Sequence, residues 1–368
     1  VNLGVAFGCY CPLHQGHLDL IMQAKRENDK ALVFVCGYDN DKRNGEVWLD
    51  FDKRIQLIET FFSADPLIKV RCINDTVLGL DESFSEHNWE IWMDEACKQI
   101  VEEYGTTADK ITFYVGEPSY QIQMLNYGIH HNTYNLNIYI KLVDRGRNLI
   151  SGTEIRNNPQ KCWNKIAEPF RPYFSHNILI AGTASEGKTT LVEDIAKYFG
   201  LPYSYEKGRD VYKYKANATD EDFNAKDFMY NLYEQRKMNE ECISSPMNPG
   251  IFISDTDNIV TLMYAKAYAD RENFSLTSEE YEVLKGVAKI YAPTTKWNKI
   301  FLFKPTIPDI VDDGERYMAD SDIEIRRKFF DTLTSLYDEF GYEYEILDGN
   351  YWDKFVKVRD YIDGLKER

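Results

Sequence analysis

The chain has 368 residues, of which 43% are hydrophobic, and it carries a formal net charge of −17. That is room for two or three domains with full cores, and it excludes wholesale disorder. Strong acidity without any Lys/Arg cluster argues against a duplex nucleic-acid partner, which needs a basic face.

In chain order, residues 3–8 form a short apolar run ending at glycine, which predicts a strand. Residues 17–28 have helical spacing, with Leu18, Ile21, Met22 and Lys25 spread over the faces. Residues 31–37 are continuously apolar, as a buried parallel strand requires. A helix at 51–62, a strand at 68–73, a helix at 89–104 and strands at 111–116 and 138–143 follow. Strand and helix alternate throughout, which predicts a doubly wound parallel sheet. Pro159, Pro169 and Pro172 then crowd residues 157–173, as at a domain boundary. The pattern restarts with a strand at 177–182 and a helix at 188–199. Further strands are predicted at 203–206, 251–254, 300–303 and 344–347, with helices at 228–243 and 324–340. Two α/β domains in tandem are expected, over residues 1–160 and 174–368.

Apolar runs such as residues 31–36 are too short to span a bilayer, and no cationic leader precedes the first of them, so neither membrane insertion nor a signal peptide is expected. The seven cysteines (Cys9, Cys11, Cys36, Cys72, Cys97, Cys162 and Cys242) are odd in number and contain no C-x-x-C pair. That pattern suits a reduced, cytoplasmic protein rather than a disulfide framework or a zinc site. Nothing in the sequence fixes the oligomeric state, and an oligomer is compatible with it.

The sharpest motif is Gly182-Thr183-Ala184-Ser185-Glu186-Gly187-Lys188-Thr189, a complete G-x-x-x-x-G-K-[ST] loop between a strand and a helix. Gly182 and Gly187 let the backbone curl so that its N–H groups face phosphates. Lys188 reaches the β- and γ-phosphates of ATP, and Thr189 offers its hydroxyl to Mg²⁺. A second acid is needed to hold the metal, and Ser254-Asp255-Thr256-Asp257 closes an apolar strand. Asp255 is the candidate; Asp257 is either a substrate contact or a helix N-cap. Glu206, with Arg209 close behind, ends the strand after the first helix, where an acceptor-binding carboxylate belongs. Glu206 or Asp255 takes the proton from a substrate hydroxyl. Asp312-Asp313-Gly314-Glu315-Arg316 reads as a lid, with Arg316 the cation that neutralises charge during transfer, while Arg326 and Arg327 read as a solvated helix face.

The second motif is Gly8-Cys9-Tyr10-Cys11-Pro12-Leu13-His14-Gln15-Gly16-His17, in which Gly8 ends the first strand and His14 and His17 stand where a helix begins. A helix N-terminus already favours anions, and two imidazoles add donors able to grip a triphosphate and follow its charge to pyrophosphate. Downstream, Ile150-Ser151-Gly152-Thr153-Glu154-Ile155-Arg156 resembles the I-S-x-T-x-I-R signature of the nucleotidyltransferase superfamily. Ser151 or Thr153 can cap a helix there, and Arg156 can then meet phosphate with its fork of donors.

Taken in order, the histidine loop, Gly37-Tyr38-Asp39-Asn40-Asp41, Leu142-Val143-Asp144-Arg145, the 150–156 run, Pro169-Phe170-Arg171, the glycine-rich loop and Asp255-Thr256-Asp257 resemble the NadR family over almost the whole chain. The family fuses a Rossmann-like nicotinamide mononucleotide (NMN) adenylyltransferase to a P-loop ribosylnicotinamide kinase. The resemblance implies that residues 174–368 phosphorylate nicotinamide riboside with ATP and Mg²⁺. It implies that residues 1–160 join the resulting NMN to the AMP moiety of ATP, giving NAD and pyrophosphate. It also assigns His14 and His17 to the triphosphate and Thr153 and Arg156 to the second phosphate motif. Trp89 and Trp92 fall where such enzymes place aromatic contacts to the nicotinamide, and a cationic pyridinium stacks well on indole. Lys53 and Arg54 are candidates for the mononucleotide phosphate. The chain departs from the pattern at Cys11, where many superfamily members carry Asp. Some relatives carry an N-terminal helix-turn-helix; this chain enters its first strand at once, so no DNA binding is expected. A rival reading keeps the kinase and makes the first domain mainly a nucleotide-sensing regulatory module.

Overall fold

The first five strands are β1 (Asn2–Gly8), β2 (Lys30–Gly37), β3 (Ile68–Asn74), β4 (Lys110–Val115) and β5 (Ile138–Leu142). They form one sheet in the order β3-β2-β1-β4-β5, and every neighbouring pair is parallel. The computed structural model describes residues 1–39, 41, 49–80, 86–105, 109–144, 150–208, 210, 220–307 and 322–367. These fall into two units, Val1–Phe174 and Ser175–Arg368.

β2 is buried along all but its first residue, so both of its faces need cover. Helices α1 (Gln15–Glu27) and α2 (Phe51–Phe62) supply one side, where Leu20, Ile21, Ile58 and Phe62 pack on Val33 and Val35. Helices α3 (Glu86–Tyr104) and α4 (Pro118–His130) supply the other, where Met93, Cys97 and Met124 pack on Leu32 and Phe34. The strand order turns back at β1, which leaves a crevice at its carboxyl end. The short helix α5 (Gly152–Asn157) comes next. The proline-rich stretch after it is not a bare linker. It forms two 3₁₀ segments, Trp163–Lys165 and Glu168–Phe174, and sends Trp163, Ile166, Phe170 and Phe174 into the core beside α1.

The second unit has strands β6 (His176–Gly182), β7 (Tyr203–Ser204), β8 (Ile251–Ser254), β9 (Lys299–Phe303) and β10 (Glu345–Leu347). Their order is β10-β9-β6-β8-β7, again all parallel. Its helices are α6 (Lys188–Phe199), α7 (Ala225–Ser244), α8 (Asn258–Ala269), α9 (Ser278–Tyr291), α10 (Ile323–Glu339) and α11 (Tyr351–Glu367). α6 and α11 cover one face through Ile195, Val358 and Ile362 against Ile178, Ile180 and Phe301. α7 to α10 cover the other, against Leu179, Ala181 and Leu302. Here the order turns back at β6, so the glycine-rich loop leaves the sheet at its reversal point. No described helix is long and apolar enough to cross a membrane.

Candidate functional site

In the first unit the candidate site grows from the carboxyl end of β1. His14 is extended (φ −142°, ψ 170°) and is the N-cap of α1. Its carbonyl accepts from the N–H of His17 at 2.9 Å and of Leu18 at 3.0 Å, which starts the helix. The His14 imidazole does not cap α1. It stacks on His17 with ring centroids 3.8 Å apart. Tyr10, held at φ 47°, sets its ring edge-on to His17 at 4.9 Å. His14 is fully buried and His17 partly buried, so His17 is the imidazole that reaches solvent.

Arg156 brings the second motif to this loop. Its Nη1 donates to the Cys11 carbonyl at 2.6 Å and its Nη2 to Thr153 Oγ1 at 2.9 Å. Ser151 is the residue that caps α5, accepting from Glu154 N at 3.1 Å, so the exposed Thr153 is left to Arg156. The stretch read as a boundary closes over the same loop. Ala167 N donates to the Leu13 carbonyl at 3.0 Å, and Ile166 pairs with His14 in an antiparallel bridge. This contact was not foreseen. The signal was the spacing of Trp163, Ile166, Phe170 and Phe174, three or four residues apart among the prolines.

Arg54, expected at a ligand phosphate, lies beneath the loop with no solvent exposure. Its Nη1 donates to the Cys9 carbonyl at 2.6 Å, and its Nη2 stands 3.7 Å from Asp41 Oδ2. Lys53 points along its own helix to Gln56 Oε1 at 2.9 Å. Trp89 and Trp92 are 9% and 7% exposed and belong to the core under α3. They form an aromatic group with Phe7, one residue before Gly8. Ring centroids are 4.8 Å apart for Phe7–Trp92, and Trp89 lies 5.1 Å from Tyr120.

In the second unit the glycine-rich loop has the geometry its sequence demands. A Cβ on Gly182 would lie 2.7 Å from the Phe303 carbonyl oxygen, so a side chain there would collide with β9. Ser185 (φ 68°) and Gly187 (φ 81°) are left-handed, which turns the loop into the start of α6. The Lys188 ammonium is mostly buried and donates to the Thr183 carbonyl at 2.7 Å. Thr189 Oγ1 donates to Asp255 Oδ2 at 2.6 Å, so the two residues expected at a metal are in contact. Asp255 N donates to the Ser204 carbonyl at 3.0 Å, locking the end of β8 to β7.

Asp257 caps α8. Its Oδ1 accepts from Ile259 N at 3.0 Å, Val260 N at 3.1 Å and the Tyr337 hydroxyl at 2.9 Å. Burial raises its carboxyl to about 6, against the opposing pull of those three hydrogen bonds. Glu206 is partly buried just beyond β7, beside Gly208. Arg209 and Arg316 lie outside the described residues.

Two features escaped the sequence. Arg326, read as part of a solvated helix face, is 1% exposed and ion-paired through Nη1 to Glu186 of the loop. Arg327 is the exposed neighbour, paired with Glu324. The reason is register: Arg326 lies on the inward side of the first turn of α10 with Phe329 and Phe330. The second feature is a buried polar chain behind the acids. Ser204 Oγ donates to Asn239 Oδ1 at 2.7 Å, Gln235 Nε2 donates to the same oxygen at 3.3 Å, and Lys207 N donates to Gln235 Oε1 at 3.0 Å.

Two family models match the chain: a cytidylyltransferase-like model over residues 5–158 and an AAA domain model over residues 177–354. The trifunctional NAD biosynthesis/regulator protein NadR of Salmonella typhimurium is 29% identical over 286 residues, covering 74% of this chain and 64% of that protein. The chain thus spans less than two thirds of that relative. The protein of the same description from Escherichia coli is 27% identical over a 379-residue alignment, covering 98% of this chain and 82% of that one. A crystal structure of NadR protein in complex with NR superposes with a TM-score of 0.84 at 28% identity, covering 99% of this chain and 96% of that chain. A crystal structure of NadR protein in complex with NAD and AMP-PNP does so at 0.82 and 29% identity, covering 100% and 96%.

Proposed function

Because the chain belongs to the NadR family, we propose that it is a two-site enzyme of NAD salvage. The second unit, residues 175–368, phosphorylates nicotinamide riboside with ATP, and the first, residues 1–174 rather than the expected 1–160, transfers the adenylyl group of a second ATP to the NMN so formed. One observation carries the reading. Each sheet turns back at a strand whose following loop opens a helix, with a side chain able to donate hydrogen bonds in the first turn, His17 in one and Lys188 in the other.

For the kinase, the loop amides and Lys188 cradle the β- and γ-phosphates, Lys188 exchanging the Thr183 carbonyl for a phosphate oxygen. Thr189 and Asp255 supply adjacent hard oxygens, the donor type that Mg²⁺ takes, and would hold it. The ion, when bound, screens the negative charge of the phosphates. The riboside hydroxyl oxygen attacks the γ-phosphorus, the bond to the ADP oxygen breaks, and Glu206 takes the hydroxyl proton. Glu206 suits that role better than Asp255, whose carboxylate is 2% exposed and engaged by Thr189.

For adenylyl transfer, a phosphate oxygen of NMN attacks the α-phosphorus of ATP and pyrophosphate leaves. His17 follows the charge onto the leaving group, with His14 stacked behind it. Arg156 and Thr153 carry the opposite wall, and the aromatic group around Trp89 borders the end of β1 where a nicotinamide ring would lie. The compartment proposed is the cytoplasm.

The complete burial of His14 favours a second reading, in which the first unit senses nucleotide and tunes the kinase. Incubation with ATP, Mg²⁺ and nicotinamide riboside, with products resolved by mass, separates the two. NMN followed by NAD is expected. Lys188→Ala should stop NMN formation and spare NAD formation from supplied NMN; His17→Ala should do the reverse. NMN that accumulates without any NAD would leave only the sensing reading.

A further inference from the structure

Resting on the kinase reading, we propose that Asn231 recognises the carboxamide of the acceptor and makes the second unit selective for nicotinamide riboside over nicotinate riboside. Asn231 lies on α7 and is 4% exposed, yet its Oδ1 is buried with no hydrogen-bond partner among the described residues. A buried carbonyl oxygen left without a donor costs about 1–3 kcal/mol, so an arriving N–H has much to gain there.

The position fits the far end of a riboside. The glycine-rich loop leaves β6, and β8 then β7 follow across the sheet, so β7 stands two strand spacings away, roughly 10 Å. A riboside whose 5′-hydroxyl lies between the γ-phosphate and Glu206 extends its heterocycle past Glu206 toward α7. Gly208 stands between the two side chains: Glu206 Oε1 and Asn231 Nδ2 lie 3.7 and 3.8 Å from where its Cβ would be, so both border the same small space. Gln235, one turn on from Asn231, holds the backbone N–H of Lys207, so Asn231 is fixed relative to Glu206. The Asn231 amide then presents an acceptor and a donor side by side, the complement of a ligand carboxamide. A carboxylate in the same place offers no N–H to Oδ1 and brings its charge toward Glu206.

The test measures kcat/KM of the full chain for both ribosides, with ATP and Mg²⁺. The unaltered protein should prefer nicotinamide riboside by about tenfold to a hundredfold. Asn231→Ala should lower kcat/KM for that substrate about tenfold, mainly through KM, and leave nicotinate riboside within about twofold, so the preference collapses. Asn231→Asp, which matches Asn in shape and keeps an acceptor, should retain or widen the preference. Equal losses on both substrates in the Ala variant, or a preference indifferent to both substitutions, would overturn the assignment to the carboxamide while leaving the kinase intact. Failure of the unaltered protein to phosphorylate either riboside would sink the kinase reading, and this inference with it.

Discussion

Glu186 and Arg326 are both almost fully buried, and each has a further partner: Glu186 Oε2 accepts from Thr306 N at 3.1 Å, and Arg326 Nη2 donates to the Ile307 carbonyl. Two charges taken out of water are tolerable only when held in this way, and removal of one leaves the other uncompensated. Glu186→Gln should therefore cost about 3–5 kcal/mol in urea unfolding, and adding Arg326→Met should recover most of the loss. Asp257 gives a pH signature. Its folded value of about 6 lies above the ordinary 3.8, so between those values the unfolded chain has lost a proton that the folded chain keeps. Stability should fall as pH rises through that window and level off above it. Asp257→Asn keeps the accepting oxygen, should flatten the slope, and should gain on the order of 2 kcal/mol at neutral pH. The buried ion pair did not announce itself. Arg326 and Glu186 are 140 positions apart, and only the folded chain shows that one inward turn of α10 joins them. Arg54, expected at the mononucleotide phosphate, is surrounded by the Cys9 carbonyl and Asp41, partners that its place beside Lys53 does not announce. Lys188, Thr189 and Asp255 were legible because the loop's chemistry is contiguous and Asp255 directly follows a strand.

At the scale of elements, the histidine loop depends on the 3₁₀ segments that follow α5. Ala167→Pro removes the N–H that Leu13 accepts, with little change in bulk. NAD formation from supplied NMN should fall about tenfold or more by this loss of positioning, with riboside phosphorylation unchanged. Loss of both activities would instead mean general unfolding. The parallel strands were readable because buried strands are apolar throughout, and the main helices because their faces repeat. The start of α7 could have been read more closely: Asn224 and Asp227 form a reciprocal capping box three residues apart, which sets its first turn at Ala225 rather than 228. The covering stretch was not readable as such. Prolines suggested a linker, but short 3₁₀ turns tolerate them, and pairing with Leu13 and His14 is a long-range fact.

At the scale of the molecule, each unit buries both faces of its own five-stranded sheet. Calorimetry should therefore resolve two transitions, and nicotinamide riboside should raise only the one belonging to the second unit. A single transition that moves as a whole would refute this. The tandem organisation was foreseeable, since the strand–helix rhythm stops and begins again. The distinct strand orders were not, because connection lengths alone do not say on which side of β6 a later strand will settle. The Thr189–Asp255 hydrogen bond has a last consequence, for the speed of ion capture. The hydroxyl owns one proton and donates it to the carboxylate, so the lone pairs on its oxygen point away from that bond. An incoming divalent ion would thus find its ligands assembled before it arrives, and its entry would keep pace with the shedding of its own hydration water instead of waiting for a side chain to swing.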